Sequence, residues 1–344
     1  MFKRILCPVD LKPRSKMALR KAVNIAHQFN SQILFLHINE KFMNKEQMVM
    51  SRIDVNTLGV EFKKIALAAK NDMRSLVKEL EADSIDCEFI LRDGKAEDII
   101  VKISEERNVD LVVICTPMSE YKKIIPKLNK YLQSKCLITD VGSTKANIIK
   151  LKNKSLSKKL HWISSHPIAG SEVSGPEYGN KNLFLNKWCV IIREKRKISK
   201  KINLLKKFWK KLGSRVILMD SNNHDKIFSI TSHLPHLIAY NLIKTAQDSQ
   251  KIQKKNLIQY SAGGLRDFSR IAASNEIMWR DIFFSNDNII NAINLFSKNL
   301  NSFKKIIKNK NNKKLLSKLI NSKKVRKQII LSKQDVAKPD FGRI

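Results

Sequence analysis

The sequence predicts an α/β protein, with a doubly wound parallel sheet at the start and an all-α region after it. Three observations support this prediction. At 344 residues the chain can bury two or more ordinary cores. Short apolar runs alternate with amphipathic helical segments over the first 114 residues. From residue 289 to residue 307 the apolar side chains instead recur at alternating spacings of four and three, which is the pattern of a helix.

The first 114 residues contain four predicted strands and three predicted helices in alternation. The strands are Phe2 to Pro8, "QILFLHI", "CEFIL" and residues 110–114. The helices are "SKMALRKAVNIAHQF", residues 57–82 and "KAEDIIVKISEERN". Parallel strands joined by right-handed helical crossovers make half of a doubly wound sheet.

The fourth strand, "LVVI", ends in a loop where an α/β enzyme keeps its cofactor. We therefore predict that Thr116 and Pro117 of this loop contact a cofactor. A dinucleotide-binding sheet normally cradles phosphate in G-x-G-x-x-G after its first strand. The ten glycines of this chain never form even G-x-G, and none precedes residue 59. The sequence therefore predicts an impaired phosphate site.

Charge is distributed unevenly along the chain, whose formal net charge is +35. Residues 1–115 hold 19 Lys and Arg against 17 Asp and Glu, whereas residues 116–344 hold 47 against 14. The excess lysines come with many Asn and Ile and without a nucleic-acid motif, so no specific nucleic-acid partner is predicted. No apolar run approaches the ~20 residues of a membrane span, and no signal peptide is evident. We therefore predict a cytoplasmic protein without a membrane partner.

Two stretches of the first region carry a family resemblance. "RILCPVDLKPRSKMALRKAVNIAHQFNSQILFLHI" and "ILRDGKAEDIIVKISEERNVDLVVI" resemble the universal stress protein family over about the first 114 residues. In its nucleotide-binding members, the end of strand one, here Pro8-Val9-Asp10, borders an ATP site whose glycine- and serine-rich phosphate loop follows strand four. This chain has no glycine there until residue 142. The alternative interpretation makes Asp10 a turn residue, and His27 and His37 ordinary half-buried histidines.

A second resemblance begins at Leu111 and extends to about residue 300. Its motifs are "DLVVICTPMSEY", "CLITDVGSTKANI", "WISSHPIAGSEVSGPEYGN", "HDKIFSITSHLPHLIAYNLI" and "YSAGGLRDFSRIAASNEIMWRDIFFSN". In this order they resemble the prephenate/arogenate dehydrogenase family. The resemblance implies a Rossmann domain joined to a helical domain with dimer contacts, and NAD or NADP as cofactor. It also implies oxidative decarboxylation of prephenate to 4-hydroxyphenylpyruvate, or of arogenate to tyrosine.

Two residues are predicted to be catalytic. Removing a hydride from the ring carbon that bears the hydroxyl requires a group to accept or polarise the hydroxyl proton, and a neutral imidazole has a suitable pKa. His166 is the candidate, because Pro167 and Gly170 of "SSHPIAG" force an irregular turn around it. Ser143, in "DVGSTK", has a hydroxyl that can bond both the substrate hydroxyl and the nicotinamide. Its alternative role is capping the helix that follows.

Three further residues are predicted to bind the substrate because they match family positions. Arg270, in "RDFSRIAAS", matches an arginine that holds the substrate carboxylate, for which a charged, bidentate guanidinium is suited. His224 and His236 match pocket-lining histidines, whereas a cap or core role is predicted for His233. No carboxylate or cysteine set completes a coordination sphere around these histidines, so no metal is predicted.

The sequence thus divides into four predicted segments. They are a universal-stress-protein-like α/β segment (1–114), the rest of a Rossmann-like sheet (115–158), a substrate and helical dimerisation region (159–307) and a basic helix with a mobile tail (308–344). The leading functional prediction is a homodimeric, NAD(P)-dependent prephenate or arogenate dehydrogenase with an impaired cofactor site. The alternative is a universal-stress-protein-like binding module with a non-catalytic helical appendage. A natural fusion and an assembly artefact both account for the junction, and read coverage across codons 108–118 separates them.

Overall fold

The computed structural model describes residues 2–9, 15–39, 85–133, 136–170, 182–194, 199–254 and 256–332, with a few positions between 67 and 78. Asp10, most of the predicted helix at 57–82 and the predicted tail lie outside the described residues. The chain divides into two compact units, one up to Asp287 and the other from Asn288 onward.

Nine strands in the described part of the chain form three sheets of three. They are β1 (Arg4–Val9), β2 (Gln32–Asn39), β3 (Cys87–Asp93), β4 (Leu111–Ile114), β5 (Leu137–Asp140), β6 (His161–Trp162), β7 (Ser165–Pro167), β8 (Trp188–Ile192) and β9 (Arg215–Met219). The hydrogen-bonded orders are β1-β2-β3, β4-β5-β6 and β7-β8-β9. Every pair is parallel except β7 with β8. The predicted parallel α/β class is therefore confirmed.

Helices separate these strands and follow them. Those described in the first unit are α1 (Ser15–Phe29), α2 (Ala96–Glu106), α3 (Tyr121–Tyr131), α4 (Ala146–Ser155), α5 (Lys200–Lys211), α6 (Ser221–Phe228), α7 (Leu234–Gln253), α8 (Gly263–Ala272) and α9 (Glu276–Ser285). A π turn, Ser229–His233, joins α6 to α7. After β9 the described chain of this unit is helical, in agreement with the predicted helical region.

The strand β2 illustrates why apolar runs in the first region form a buried parallel sheet. Successive side chains of a strand point to opposite faces. Ile33 and Phe35 belong to a core cluster with apolar residues of α1. Leu34 and Leu36 belong to another cluster that includes Ile103 of α2. Because helices cover both faces, the strand is apolar at consecutive positions.

The first and second sheets approach each other where β1 and β4 begin. The backbone N–H of Lys3 donates to the Asp110 carboxylate at 2.8 Å, and the Arg4 guanidinium donates to the Arg107 carbonyl at 2.8 Å. The sequence predicts one continuous sheet, with these two strands side by side. Among the described residues, however, no ladder pairs β1 with β4.

Side chains also join the first region to the rest of this unit. Lys127 of α3 forms an ion pair with Glu97 of α2 at 2.8 Å. The ring of Phe208, on α5, packs against Phe2 and Phe29, with centroids 5.5 and 5.9 Å away. These contacts let the first region share a core with the elements that follow it.

The chain from β6 to β7 bridges the second and third sheets and carries His166. The backbone N–H of Ile163 donates to Ile138 of β5 at 2.8 Å. One residue later, the Ser164 carbonyl accepts from Ile192 of β8 at 2.9 Å. His166 therefore lies in the third sheet, directly after a segment that bonds to both sheets.

The second unit contains α10 (Asn288–Lys308) and α11 (Asn312–Leu331). The predicted apolar stripe lies on α10, where Leu300 and Ile307 remain 57% and 60% exposed. The predicted helix beyond residue 308 is confirmed as α11. Of the helices that the structure describes, none combines the length and the apolar character needed to span a membrane.

Candidate active site

His166 and His224 form a buried pair at the centre of the first unit. The His166 Nδ1 atom lies 2.8 Å from His224 Nε2. The Phe228 ring packs beside both imidazoles, with centroids 5.1 and 4.5 Å away. Both histidines are buried. β7 supplies one member and α6 the other, so the pair depends on the contact between sheet and helix.

Asp225 lies behind this pair and contacts a second element. Its Oδ1 atom is 2.8 Å from His224 Nδ1. The same oxygen accepts from the backbone N–H of Lys145 at 2.8 Å, and Oδ2 accepts from that of Ala146 at 2.8 Å. These N–H groups stand at the start of α4, where a helix leaves donors without intrahelical partners. The carboxylate therefore caps α4 from 80 residues away.

A buried ion pair adjoins the histidines. Lys145 Nζ donates to Asp140 Oδ2 at 2.5 Å and to the carbonyl of Ser165 at 2.7 Å. The other Asp140 oxygen accepts from the Trp162 indole at 2.8 Å. Lys145 and Asp140 are fully buried, and Ser165 directly precedes His166. A buried charge is tolerated when it is paired and hydrogen-bonded in this way.

The surroundings of the histidines favour their neutral forms. Burial lowers the pKa of His166 well below its usual value, and the nearby His224, Lys145 and His233 lower it further. Burial also lowers the pKa of His224, although its bond to Asp225 opposes this shift. A neutral His166 has one ring nitrogen without a proton, so it can accept one from a bound molecule.

The predicted cofactor contacts lie after neighbouring parallel strands. Thr116 and Pro117 are exposed after β4, and Ser143 is half-buried after β5. The alternative role of Ser143 as a helix cap is wrong, because α4 begins at Ala146 and Asp225 supplies its cap. Ser143 is two residues from Lys145, so the same network fixes its loop. Its catalytic role stays a prediction.

His236 and His233 surround one aromatic ring. His236 is stacked on Trp279 of α9, with centroids 3.7 Å apart. His233 is buried, and its Nδ1 lies 3.0 Å from the Asn286 amide nitrogen. This environment matches the core role predicted for His233. His236 is only partly buried, so it can reach a ligand.

The remaining predicted substrate-binding residues, His224 and Arg270, occupy different positions in the first unit. Both ring nitrogens of His224 face protein groups, so it contacts His166 rather than open space. Arg270 is exposed on α8, a helix that packs against α7. The structure thus brings His166 and His224 together and leaves Arg270 on the surface of the first unit. No three His, Cys, Asp or Glu side chains in the described ranges converge as metal ligands.

Sequence reasoning missed Asp225, Lys145 and Asp140. Two signals could have pointed to Asp225. The helix after "VGSTK" has no acidic residue of its own in its first turn, so a carboxylate from elsewhere in the chain would be stabilised at its N-terminus. Asp225 directly follows a candidate histidine, and a His-Asp pair is a common way to orient an imidazole.

Comparison with known families assigns the chain in two parts. Residues 71–218 match the nucleotide-binding domain of prephenate dehydrogenase, and residues 220–321 match the dimerization domain of prephenate dehydrogenase. Residues 1–122 match the universal stress protein family. Residues 71–122 match both families, so the two matches overlap in an α/β segment.

Individual relatives agree with this division. Cyclohexadienyl dehydrogenase of Zymomonas mobilis is 33% identical over 180 residues, which cover 52% of this chain and 61% of that protein. The chain thus spans about six tenths of this relative's length. Universal stress protein A of Photorhabdus laumondii is 32% identical over 114 residues, 33% of this chain and 74% of that protein.

Prephenate dehydrogenase of Aquifex aeolicus, solved with hydroxyphenyl propionate and NAD+, superimposes on 96% of this chain and 99% of its own, with a TM-score of 0.68 and 26% identity. The fold is therefore α/β with parallel sheets and a helical second region, similar to prephenate dehydrogenase structures. The chain belongs to the prephenate dehydrogenase family over residues 71–321, and to the universal stress protein family in its first 122 residues.

Proposed function

We propose that the chain is an NAD- or NADP-dependent dehydrogenase that oxidatively decarboxylates prephenate or arogenate. The observation that carries this proposal is the buried His166–His224–Asp225 arrangement, because it presents a neutral imidazole to a bound hydroxyl. The Zymomonas and Aquifex relatives support the reaction class by their names. The universal-stress-protein-like module, as the alternative function, would have no use for this arrangement.

Each residue of the site has its own role in this proposed reaction. His166 accepts the proton of the substrate hydroxyl as the hydride leaves the same carbon. Ser143 bonds that hydroxyl and orients it. Arg270 binds a substrate carboxylate, and His236, stacked on Trp279, lines the pocket with His224 behind His166. The Lys145–Asp140 pair holds the strand end that carries His166.

A nicotinamide cofactor, when bound, supplies the acceptor for the hydride. The residues after β4 and β5 suit its nicotinamide end, and Thr116, Pro117 and Ser143 would hold it there. Its pyrophosphate end normally binds to backbone N–H groups of a glycine loop at a helix N-terminus. The segment "DLKPR" that precedes α1 contains no glycine, and its Lys12 and Arg14 offer charged side chains in place of backbone N–H groups. We therefore propose that the dinucleotide binds weakly.

The proposal includes the organisation of the chain. We propose the boundaries 1–114, 115–158, 159–307 and 308–344, with the first two segments forming one doubly wound sheet. The contact of Lys3 with Asp110 brings the starts of β1 and β4 together, although no ladder pairs these strands among the described residues. We also propose a homodimer, because a dimerization domain matches residues 220–321 and the α10 stripe has exposed apolar side chains such as Leu300.

The test is turnover by the full chain, followed as formation of reduced nicotinamide. Prephenate and arogenate are each supplied with NAD or NADP up to millimolar concentration. We expect turnover with at least one pair. If no combination gives turnover while the chain is folded by circular dichroism, the dehydrogenase proposal fails and the binding-module alternative gains.

A further inference from the structure

We propose that Asp225 is a positioning residue that fixes the tautomer of His166 through His224. This inference rests on the proposed role of His166 as proton acceptor. It adds a residue that acts on His166 through His224, because the side chain of Asp225 contacts His224 and the start of α4.

The tautomers follow from donors whose protons are fixed. Backbone N–H groups can only donate, and two of them point at Asp225, one at each oxygen. Both oxygens are therefore acceptors. His224 Nδ1, 2.8 Å from Oδ1, must then donate to it. A neutral His224 protonated at Nδ1 has a lone pair at Nε2.

The next bond in the chain is fixed by the same reasoning. His224 Nε2 is an acceptor, so His166 Nδ1, 2.8 Å away, carries the proton and donates it. The proton of a neutral His166 is thus on Nδ1, and Nε2 has the free lone pair. This is the tautomer that a base requires when Nδ1 faces the protein and Nε2 faces the ligand.

Four groups face the His166 ring from the elements packed around it. α6 contributes His224 and Phe228, the segment before α4 contributes Lys145, and the π turn contributes His233. Lys145 and any protonated histidine disfavour a positive charge on His166. Asp225 is the carboxylate that reaches the ring through a hydrogen bond, so it offsets these groups when His166 accepts a proton.

Asp225 also links the base to the loop that bears Ser143. Its side chain caps α4 directly after that loop. Its backbone carbonyl accepts from the Asn286 amide at 2.8 Å, and Asn286 contacts His233. One buried residue therefore connects the loop after β5, α6 and the end of α9.

The informative variant is Asp225→Asn, which keeps the shape and replaces one oxygen with an NH2 group. If the NH2 takes the place of Oδ1, the His224 proton moves to Nε2, the lone pair of His166 moves to Nδ1, and the NH2 also opposes the N–H of Lys145. If it takes the place of Oδ2, it opposes the N–H of Ala146. We expect kcat to fall by about a hundredfold or more across the whole pH profile, with the substrate KM within about threefold of wild type.

The matched control is Asp220→Asn, which alters the cap of α6 at Asn223 without touching either histidine. We expect kcat within about twofold of wild type. A similar loss of kcat in both variants would assign the effect to helix capping and overturn the proposal. Asp225→Asn with wild-type kcat would overturn it as well.

A second measurement does not depend on activity. Nitrogen-15 NMR of the histidine rings in the full wild-type chain reads the tautomer, with His166 assigned by the signals lost in His166→Asn. We expect protonated Nδ1 and free Nε2 on His166. The opposite tautomer would overturn the role of Asp225 even if the enzyme turns over. If this tautomer is found but turnover is absent, the proposed function fails and the positioning role of Asp225 stands.

Discussion

The two regions of the first unit differ in what their buried polar groups do. Among the described residues before 115, the buried polar side chains are the hydroxyls of Ser31 and Ser104, and each bonds a backbone carbonyl. In the region from 136 to 286, buried imidazoles, carboxylates and an ammonium bond one another around His166. The first region buries polar atoms to complete its fold. The second buries ionisable groups at a cost in desolvation, which suggests a chemical use.

This difference explains how two families can meet in one α/β unit. A parallel strand needs only apolar side chains on both faces and helices to cover them, and β2 and β5 both meet that requirement. Phosphate binding and proton transfer need particular residues at particular positions. An α/β segment from one family can therefore complete the packing of another without supplying its chemistry.

The largest expected effect comes from removing the proposed base. His166→Asn should lower kcat by about a thousandfold, because proton acceptance contributes about a hundred- to ten-thousandfold to such reactions. Steady-state turnover with saturating substrate measures it. The matched change in the first region, His27→Asn, alters an exposed histidine and should leave kcat within about twofold. Equal losses in the two variants would contradict the contrast between the regions.

A smaller effect is expected at the substrate carboxylate. Arg270→Ala should weaken binding of prephenate or its product about ten- to a hundredfold, since a hydrogen bond to a charged group contributes about 1.5–3 kcal/mol. Calorimetry provides the affinity. Arg266→Ala, on the same exposed helix, is the control and should bind as wild type does. Unchanged affinity in Arg270→Ala would reject its assignment.

The pH dependence of stability distinguishes the second region from the first. Burial lowers the pKa of His233 from 6.5 to about 4, so below pH 6.5 the unfolded chain takes up a proton that the folded chain does not. Stability should therefore be full above pH 6.5 and fall by about 1.4 kcal/mol per pH unit toward pH 4 from this group alone. Denaturant titrations at several pH values measure the slope. His233→Asn should reduce the slope without abolishing it, because burial also lowers the pKa values of His166 and His224. An unchanged slope would contradict the contribution of His233.

The smallest effect concerns the contact between the regions. Asp110→Asn weakens the acceptor of the Lys3 N–H bond and should lower the free energy of unfolding by about 0.5–1 kcal/mol. Urea denaturation detects such a change. Glu120→Gln, which removes a surface ion pair within one segment, should have less effect. A larger loss in the control would mean that the Lys3 contact does not tie the regions together.

The sequence predicts the elements better than it predicts the site. Strands and helices such as β2 and α1 follow from local apolar periodicity, which is a property of adjacent residues. His166 could be nominated from its motif. Asp225 was missed, because its contact with the α4 terminus joins residues 80 positions apart in the chain. The predicted cap by Ser143 is wrong for the same reason. The acceptor at the start of α4 is the carboxylate of Asp225, which is distant in the sequence, and not the nearby Ser143 hydroxyl.

The central claim is that the second region keeps its chemistry while the first holds the dinucleotide poorly. Initial rates with saturating prephenate or arogenate, measured as NAD and then NADP are raised from micromolar to millimolar, test it most directly. We expect a rate that still rises in the millimolar range and that His166→Asn lowers about a thousandfold. Saturation at micromolar cofactor would contradict it, because the first region would then contain an effective dinucleotide site without a glycine loop.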